Sequence, residues 1–468
     1  MYSLPVPITD FMRVFTDTGH QIYVAGGPVR DLVLGREVTD WDFTTSATPE
    51  QILALFPDSF YHNTYGTVTV KLPAPSYKLQ ANTALTSSQL DARSSPLLLE
   101  VTPFRREGTY SDGRHPDEVK WAKTLEEDLA RRDFTIGAMA YDGQKVIDLF
   151  DGQTDLKNKV IRAVGEPDKR FGEDALRLLR AVRFSAQLGF LIEPTTLESI
   201  KKNAALIQKI SWERIRDEFY KILLSPHPTE GVLFLRSTGL LKYILPELDV
   251  CFDVPQKSPG RHHIYDVGTH LVKSLEHCTS TNVITRFATL IHDIGKAPTF
   301  HHDPDTQMIT FYNHEVVGER MATVIADRFR MSKNEKGLFV RLVAQHQFVV
   351  SEELTDNAIR RFIRNVGREN LEEMFALRHA DRLGGAATET SWRTELFKKR
   401  VAELLIEPFT VKDLKIDGND VMKILNIKPS RQVGDILDTL FEKVVNKELE
   451  NEREVLIQQL SLISKDIK

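Results

Sequence analysis

Between residues 21 and 150 the apolar positions fall in short runs: Gln21-Ile-Tyr-Val-Ala, Gly66-Thr-Val-Thr-Val-Lys-Leu, Leu97-Leu-Leu-Glu-Val-Thr and Lys145-Val-Ile-Asp-Leu. Turn residues and short helical patterns separate them. Such runs predict strands, and the stretch reads as a small α/β domain. From about residue 155 the strand pattern fades, and apolar residues recur at helical spacing over 173–190 and 195–224. The remainder reads as predominantly helical.

Two shifts interrupt this pattern. Residues 73–96 are rich in Ser, Ala, Pro, Thr and Gln with little to bury, and read as a surface insertion. Near Glu407-Pro408 a Lys- and Glu-rich helical tail begins. At 468 residues the chain has material for about three domains. Its 61 Lys plus Arg against 66 Asp plus Glu give no global reason to expect a nucleic-acid partner, so any RNA must meet a local basic surface. Two cysteines, Cys251 and Cys278, exclude a disulfide scaffold and read as packing residues in a reducing compartment. The first residues lack a basic leader and an apolar signal core, and no stretch of about 18 apolar residues occurs. The expected location is the cytoplasm, without a membrane.

The candidate chemistry starts at Tyr23-Val-Ala-Gly-Gly-Pro-Val-Arg-Asp31, a strand that turns at Gly26-Gly27 into a helix whose first turn accepts Pro28. Glycines there let backbone N–H groups approach phosphate oxygens, although such a turn also serves plain strand-to-helix packing. In Thr39-Asp40-Trp41-Asp42-Phe43, read as a strand, Asp40 and Asp42 share a face. Two like charges so close are relieved by a cation such as Mg²⁺; a solvated turn is the alternative. Glu100 is the single charge in the run 97–102, either a third carboxylate or an edge charge facing water.

Gly26-Gly27-Pro28-Val29-Arg30-Asp31, followed by Asp40-Trp41-Asp42-Phe43-Thr44-Thr45-Ser46-Ala47-Thr48-Pro49, resembles the signature of the class II tRNA nucleotidyltransferase and bacterial poly(A) polymerase superfamily. The resemblance implies an α+β chain: a polymerase-β-like head over 1–155, an all-α neck over 156–225, a helical body over 226–405 and a tail over 406–468. It implies two-metal attack of an RNA 3′-hydroxyl on an NTP, with Asp40, Asp42 and Glu100 as the catalytic carboxylates, Asp40 and Asp42 holding Mg²⁺, and Gly26, Gly27 and Arg30 at the triphosphate. The implied partners are CTP, ATP and the acceptor end of tRNA, gripped by the tail from Leu414; no protein partner is implied.

Two further motifs extend the likeness. Leu129-Ala-Arg-Arg-Asp-Phe-Thr-Ile-Gly-Ala resembles the family's ribose-holding stretch, with Arg132 and Asp133 in the matching places and Gly137 where Asn is usual. A helix cap is the other reading of Asp133. Glu173-Asp-Ala-Leu-Arg-Leu-Leu-Arg-Ala-Val-Arg-Phe184 resembles the helix that reads the base; Asp174 and Arg177 are expected on one helix face, with Arg180 and Arg183 extending the positive side. As a bare pair they would be a surface ion pair. Phe104–Val119 resembles the flexible loop that enzymes restricted to CC addition shorten. Tyr65-Gly-Thr-Val-Thr-Val is closer to the CCA-adding type than to the Gly-Arg-Arg-Phe of poly(A) polymerases. CCA addition ranks ahead of A addition and polyadenylation.

A last cluster, His270, His292-Asp293, His314, His346 and Asp381, carries imidazole and carboxylate groups suited to a divalent transition metal. It resembles the HD phosphohydrolase pattern. It is either a metal-dependent phosphohydrolase, giving a bifunctional enzyme, or a degenerate HD fold retained as a helical body.

Overall fold

The computed structural model describes residues 2–61, 66–72, 96–106, 120–256, 265–386, 391–405, 411–445 and 448–466. The 73–96 insertion, save residue 96, Tyr65, and residues 107–119 of the loop fall outside them. The chain is α+β and divides into two compact units, Met1–Val250 with Asp327–Arg330, and Cys251–Ala326 with Met331–Lys468.

In the first unit β1 (Ile22–Ala25), β2 (Trp41–Thr45), β3 (Ser59–Tyr61), β4 (Val68–Leu72) and β5 (Leu97–Pro103) meet β8 (Met139–Tyr141) and β9 (Val146–Asp148) in one sheet, ordered β3-β4-β5-β2-β1-β8-β9. The small hairpin β6 (Arg105–Arg106) and β7 (Lys120–Trp121) stands apart. β2 and β5 run parallel, and the other pairs of the sheet are antiparallel. Alternation gives the sheet its two characters. Trp41, Phe43, Leu99 and Val101 are buried, and Phe43 packs against Phe11 of the helix Val6–Asp17 with ring centroids 5.0 Å apart. Asp42 and Glu100 alternate to the other face.

Beyond the sheet the first unit is mostly helical, and two expected helices are subdivided. Residues 173–190 are not one helix: Pro167–Glu173 ends, Asp174 is extended at φ −142°, and a new helix runs Leu176–Leu188. The Asp174 carboxylate accepts the Leu176 N–H at 3.0 Å, the local competition by which Asp interrupts a helix. The 195–224 stretch resolves into Pro194–Asn203, a 3₁₀ turn over Ala204–Lys209, and Trp212–Leu223. Ile200, Ala204, Ile207, Ile210 and Ile215 are all buried, so the apolar period runs across the breaks. The stretch from Pro226 to Glu247 is also helical, in short pieces including Pro228–Ser237 and Leu241–Ile244.

In the second unit the helix Val267–Glu276 packs on Leu371–Gly384, and Val283–Ile291 packs on Lys333–Gln345. A Cβ on Gly384 would stand 2.2 Å from Ser274 Oγ, so this helix pair needs glycine to approach so closely. Leu414, Ile416, Val421, Val433, Leu440, Val444, Leu456 and Leu460 form a buried cluster among the last helices. Both cysteines are buried and free. Among the described residues no helix is long and apolar enough to cross a membrane.

Candidate active site

The parallel pairing of β2 with β5 places Asp42 opposite Glu100. Asp40, two residues before Asp42, lines with it a cleft of about 740 Å³. Enclosure by the cleft walls, then the charge of Glu100, pushes the Asp42 carboxyl up to about 6; Asp40 adds to this and Arg132 opposes it. Such a shift marks crowded negative charge that a bound cation would relieve.

Gly26, Gly27, Arg30, Asp40, Asp42 and Arg132 line this cleft, and so do Asp133, Asp174, Arg177, Arg180 and Arg183. Glu100 is tied to it through Asp42. Gly26 has φ +75°, and a Cβ there would stand 2.6 Å from the Arg132 guanidinium. The turn thus brings backbone close to an arginine, yet the Gly26 N–H itself donates to the Met139 carbonyl at 3.1 Å and is not the donor expected for phosphate. Arg30 is clamped by both oxygens of Asp31, at 2.9 and 2.8 Å.

Asp133 does not cap a helix: one oxygen accepts the Phe134 N–H and the other accepts Arg180 Nε at 2.6 Å. Burial would raise this carboxyl, but Arg180 and Arg177 hold it below the usual range. Asp174 and Arg177 lie on opposite sides of the helix break rather than on one helix face, which corrects that expectation; the Arg177 N–H donates to the Asp174 carbonyl at 3.0 Å, while their side chains hold other partners. Arg214 holds Asp174 at 2.7 Å; Glu173 and the carbonyls of Arg170 and Arg131 hold Arg177 at 2.7, 3.2 and 3.2 Å. Arg183 pairs with Glu218 and lies 4.2 Å from the Phe184 ring centroid. Burial and the neighbouring Arg180 lower its guanidinium to about 10.

Sequence reasoning missed the supports. Asp128 is fully buried and accepts from Thr44 Oγ1, the Arg105 N–H, Arg131 and Arg132. It joins the strand carrying Asp42, the root of the 104–119 loop and the arginines of the cleft. Its spacing of three and four residues to Arg131 and Arg132 was a usable signal. Arg214, forty residues beyond Asp174, left none.

The second unit gathers all six residues of the histidine and aspartate cluster. His270, His292 and Asp293 form one potential metal-holding group, and Asp293, His314 and His346 form another. Asp293 serves both: Oδ2 lies 3.6 and 3.5 Å from the Nε2 atoms of His270 and His292, while Oδ1 lies 3.3 Å from those of His314 and His346. Asp381 Oδ1 joins the first group, 3.2 Å from His270 and 3.4 Å from His292. A Cβ on Gly295 would sit 2.0 Å from the His314 carbonyl oxygen, so the turn after His292-Asp293 lies directly on the helix His314–Arg328. Burial lowers His292, but Asp293 and Asp381 outweigh it and push the imidazole up to about 10. Lys296, missed by sequence reasoning, approaches Asp293 Oδ2 to 2.6 Å.

Residues 22–162 match the family described as the Poly A polymerase head domain, residues 189–252 the probable RNA and SrmB-binding site of polymerase A, and residues 305–460 the putative tRNA nucleotidyltransferase domain 2. The chain is 32% identical over 459 residues to the CCA-adding enzyme of Ligilactobacillus salivarius, covering 98% of this chain and 95% of that one. It is 31% identical to the CCA-adding enzyme of Limosilactobacillus reuteri, covering 98% and 97%. The crystal structure of the Bacillus stearothermophilus CCA-adding enzyme in complex with CTP superposes with a TM-score of 0.68 at 26% identity over 99% of both chains. Fold and cleft are those of a nucleotidyltransferase. The chain belongs to the family of CCA-adding enzymes.

Proposed function

We propose that this protein adds C, C and A to the 3′ end of tRNA from CTP and ATP, releasing pyrophosphate. The observation that carries the reading is Asp40 and Asp42 lining one cleft with Arg30, Arg132, Arg177, Arg180 and Arg183, with Glu100 paired across the strands to Asp42. Its nearly full-length relatives are CCA-adding enzymes, and one superposing structure was solved with CTP.

Asp40, Asp42 and Glu100 would hold Mg²⁺, which supplies charge neutralisation to the attacking and leaving oxygens of the in-line transfer. The protein's own groups do the positioning. Arg30 and Arg132 flank the glycine turn where the triphosphate is placed, and Arg132 with Asp133 orients the ribose. Asp174 can accept and Arg177 donate to the Watson–Crick edge of C or A, held to that task by Arg214 and Glu173. Arg180 and Arg183 supply positive field at the same wall. The tail packs about its own buried cluster and is assigned to the acceptor arm through phosphate and shape contacts. We place the domains at 1–155, 156–225, 226–405 and 406–468.

The test supplies CTP and ATP, singly and together, with Mg²⁺ to tRNAs ending before CCA, after C and after CC. All three should grow to a CCA end, and Asp40→Ala with Asp42→Ala should abolish growth. Extension of the CC-ending tRNA alone would make this an A-adding enzyme, and long A tails a poly(A) polymerase.

A second reading is favoured by the buried cluster of six. Two imidazole pairs facing the two oxygens of one aspartate fit a divalent transition metal such as Mn²⁺ or Ni²⁺, held by His270, His292, Asp293 and Asp381 and by Asp293, His314 and His346. A metal there would supply Lewis acidity for phosphomonoester or cyclic phosphodiester hydrolysis, making the enzyme bifunctional.

A further inference from the structure

Phe184 lines the head cleft, although the chemistry of nucleotidyl transfer asks nothing of an apolar ring there. Three guanidiniums nonetheless gather on it. Arg183, its chain neighbour, lies 4.2 Å from the ring centroid, Arg180 lies 5.4 Å away and Arg30 lies 5.6 Å away. Arg180 stands four residues before Phe184 on the helix Leu176–Leu188, so the two project from one face. Arg30 comes from a different element, the helix Gly27–Val33 that follows the glycine turn. The ring meets Phe134 edge-on, with centroids 5.7 Å apart and planes at 79°, an arrangement that fixes its orientation. Phe134 is fully buried and directly follows Asp133, the carboxylate that holds Arg180.

Like charges gathered in this way repel one another, more strongly in a partly enclosed cleft than in water. Acids on three different elements partner them: Asp31 for Arg30, Asp133 for Arg180 and Glu218 for Arg183. The last pair is incomplete. Arg183 Nη1 donates to Glu218 Oε1 at 3.2 Å, whereas Arg183 Nε, also 3.2 Å from that carboxylate, is buried and not aligned to donate to it. The face of an aromatic ring carries negative potential and attracts a cation within about 6 Å without occupying any of its N–H groups. A further acid at position 184 would neutralise the arginines, and an aliphatic side chain would fill the space and attract nothing. A ring draws them together and leaves their donors for a ligand. Convergent guanidiniums match successive phosphates, whose oxygens accept from each fork.

We propose that Phe184 is a positioning residue for the triphosphate: its ring holds Arg30, Arg180 and Arg183 together as one phosphate receptor and does not itself touch the nucleotide. The proposal rests on the reading of this cleft as the nucleotide site, and it adds the residue that sets the spacing of the cations there.

The test is isothermal titration calorimetry of CMP, CDP and CTP, with Mg²⁺ and without RNA, against full-length wild type, Phe184→Leu and Phe184→Tyr. Leu keeps an apolar side chain and removes the ring; Tyr keeps the ring. Phe184→Leu should weaken CTP binding about tenfold, the size of about two cation–π contacts at partly exposed sites. The loss should be smaller for CDP and within about twofold for CMP, because each phosphate removed takes away a partner of the gathered guanidiniums. Phe184→Tyr should bind CTP within about threefold of wild type. Equal weakening of all three nucleotides by Phe184→Leu would mean that the ring only packs or stacks on the base, and overturns the proposal; so does a Tyr variant as weak as the Leu variant. Folding is checked by thermal melting, and if Phe184→Leu does not fold, Phe184→Met, unbranched and adaptable in shape, takes its place. Wild type that binds no CTP overturns the nucleotide reading of the cleft together with this assignment, whereas CTP bound equally tightly by wild type and folded Phe184→Leu overturns the assignment alone.

Discussion

Asp128 holds no place facing the cleft, yet Arg131 and Arg132 both turn on it. Replacing it with Asn removes the charge and leaves two arginines to compete for a neutral amide, and breaking a buried pair from one side costs about 3 kcal/mol or more. We expect Asp128→Asn to lower unfolding stability by about that amount in denaturant titration and to reduce kcat/KM for CTP through Arg132. Burial would raise this carboxyl, but Arg131 and Arg132 bring it below the ordinary carboxylate value. A depressed folded-state pKa contributes stability that is present above the unfolded value of about 3.9 and disappears as pH falls through the folded value. The stability gap between wild type and Asp128→Asn should therefore be full at neutral pH and narrow below about pH 4. A gap that widened in acid would refute this account.

The strand-turn-helix segment around Gly26 and the turn around Gly295 show what single positions demand of an element. Gly26→Ala must adopt a left-handed backbone, at about 1–2 kcal/mol, and push Arg132 aside. We expect at least a tenfold drop in CMP incorporation, about 1.4 kcal/mol of transition-state stabilisation, with the melting temperature falling only modestly. Gly295→Ala should be harsher on its own unit, because the obstacle is the His314 backbone rather than a flexible side chain; loss of Mn²⁺ uptake by metal analysis would register it. At this scale the sequence was a good guide wherever alternation or a glycine turn set the structure. The strands carrying Asp42 and Glu100 emerged from their patterns; their pairing across β2 and β5 did not, and Asp40, expected within the strand, lies just before its first residue, Trp41. The break at Asp174 was hidden because the apolar period of Leu176, Leu179 and Val182 masks a hydrogen bond from one side chain. The partnership of Asp174 with Arg214 was beyond reach, since nothing local links residues forty apart.

At the scale of the molecule, the two candidate centres lie in separately packed units and draw on different donors, carboxylates alone in the head and mostly imidazole in the body. They should fail independently. His292→Ala is expected to reduce hydrolysis of a 2′,3′-cyclic nucleotide at least a hundredfold, about 2.7 kcal/mol, while CMP incorporation stays within about twofold. Parallel loss of both activities in a protein that still melts cooperatively would show that the units are coupled.

Burial first, and then the neighbouring Arg180, lower the Arg183 guanidinium to about 10, so the head cleft holds positive charge at a cost in free energy. A bound triphosphate would offset that charge, which couples nucleotide binding to the stability of the fold. By mass action, CTP at a hundred times its dissociation constant adds about 2.7 kcal/mol to the folded state. By the same relation the protein saturated with CTP should unfold at a higher denaturant concentration than the protein without it.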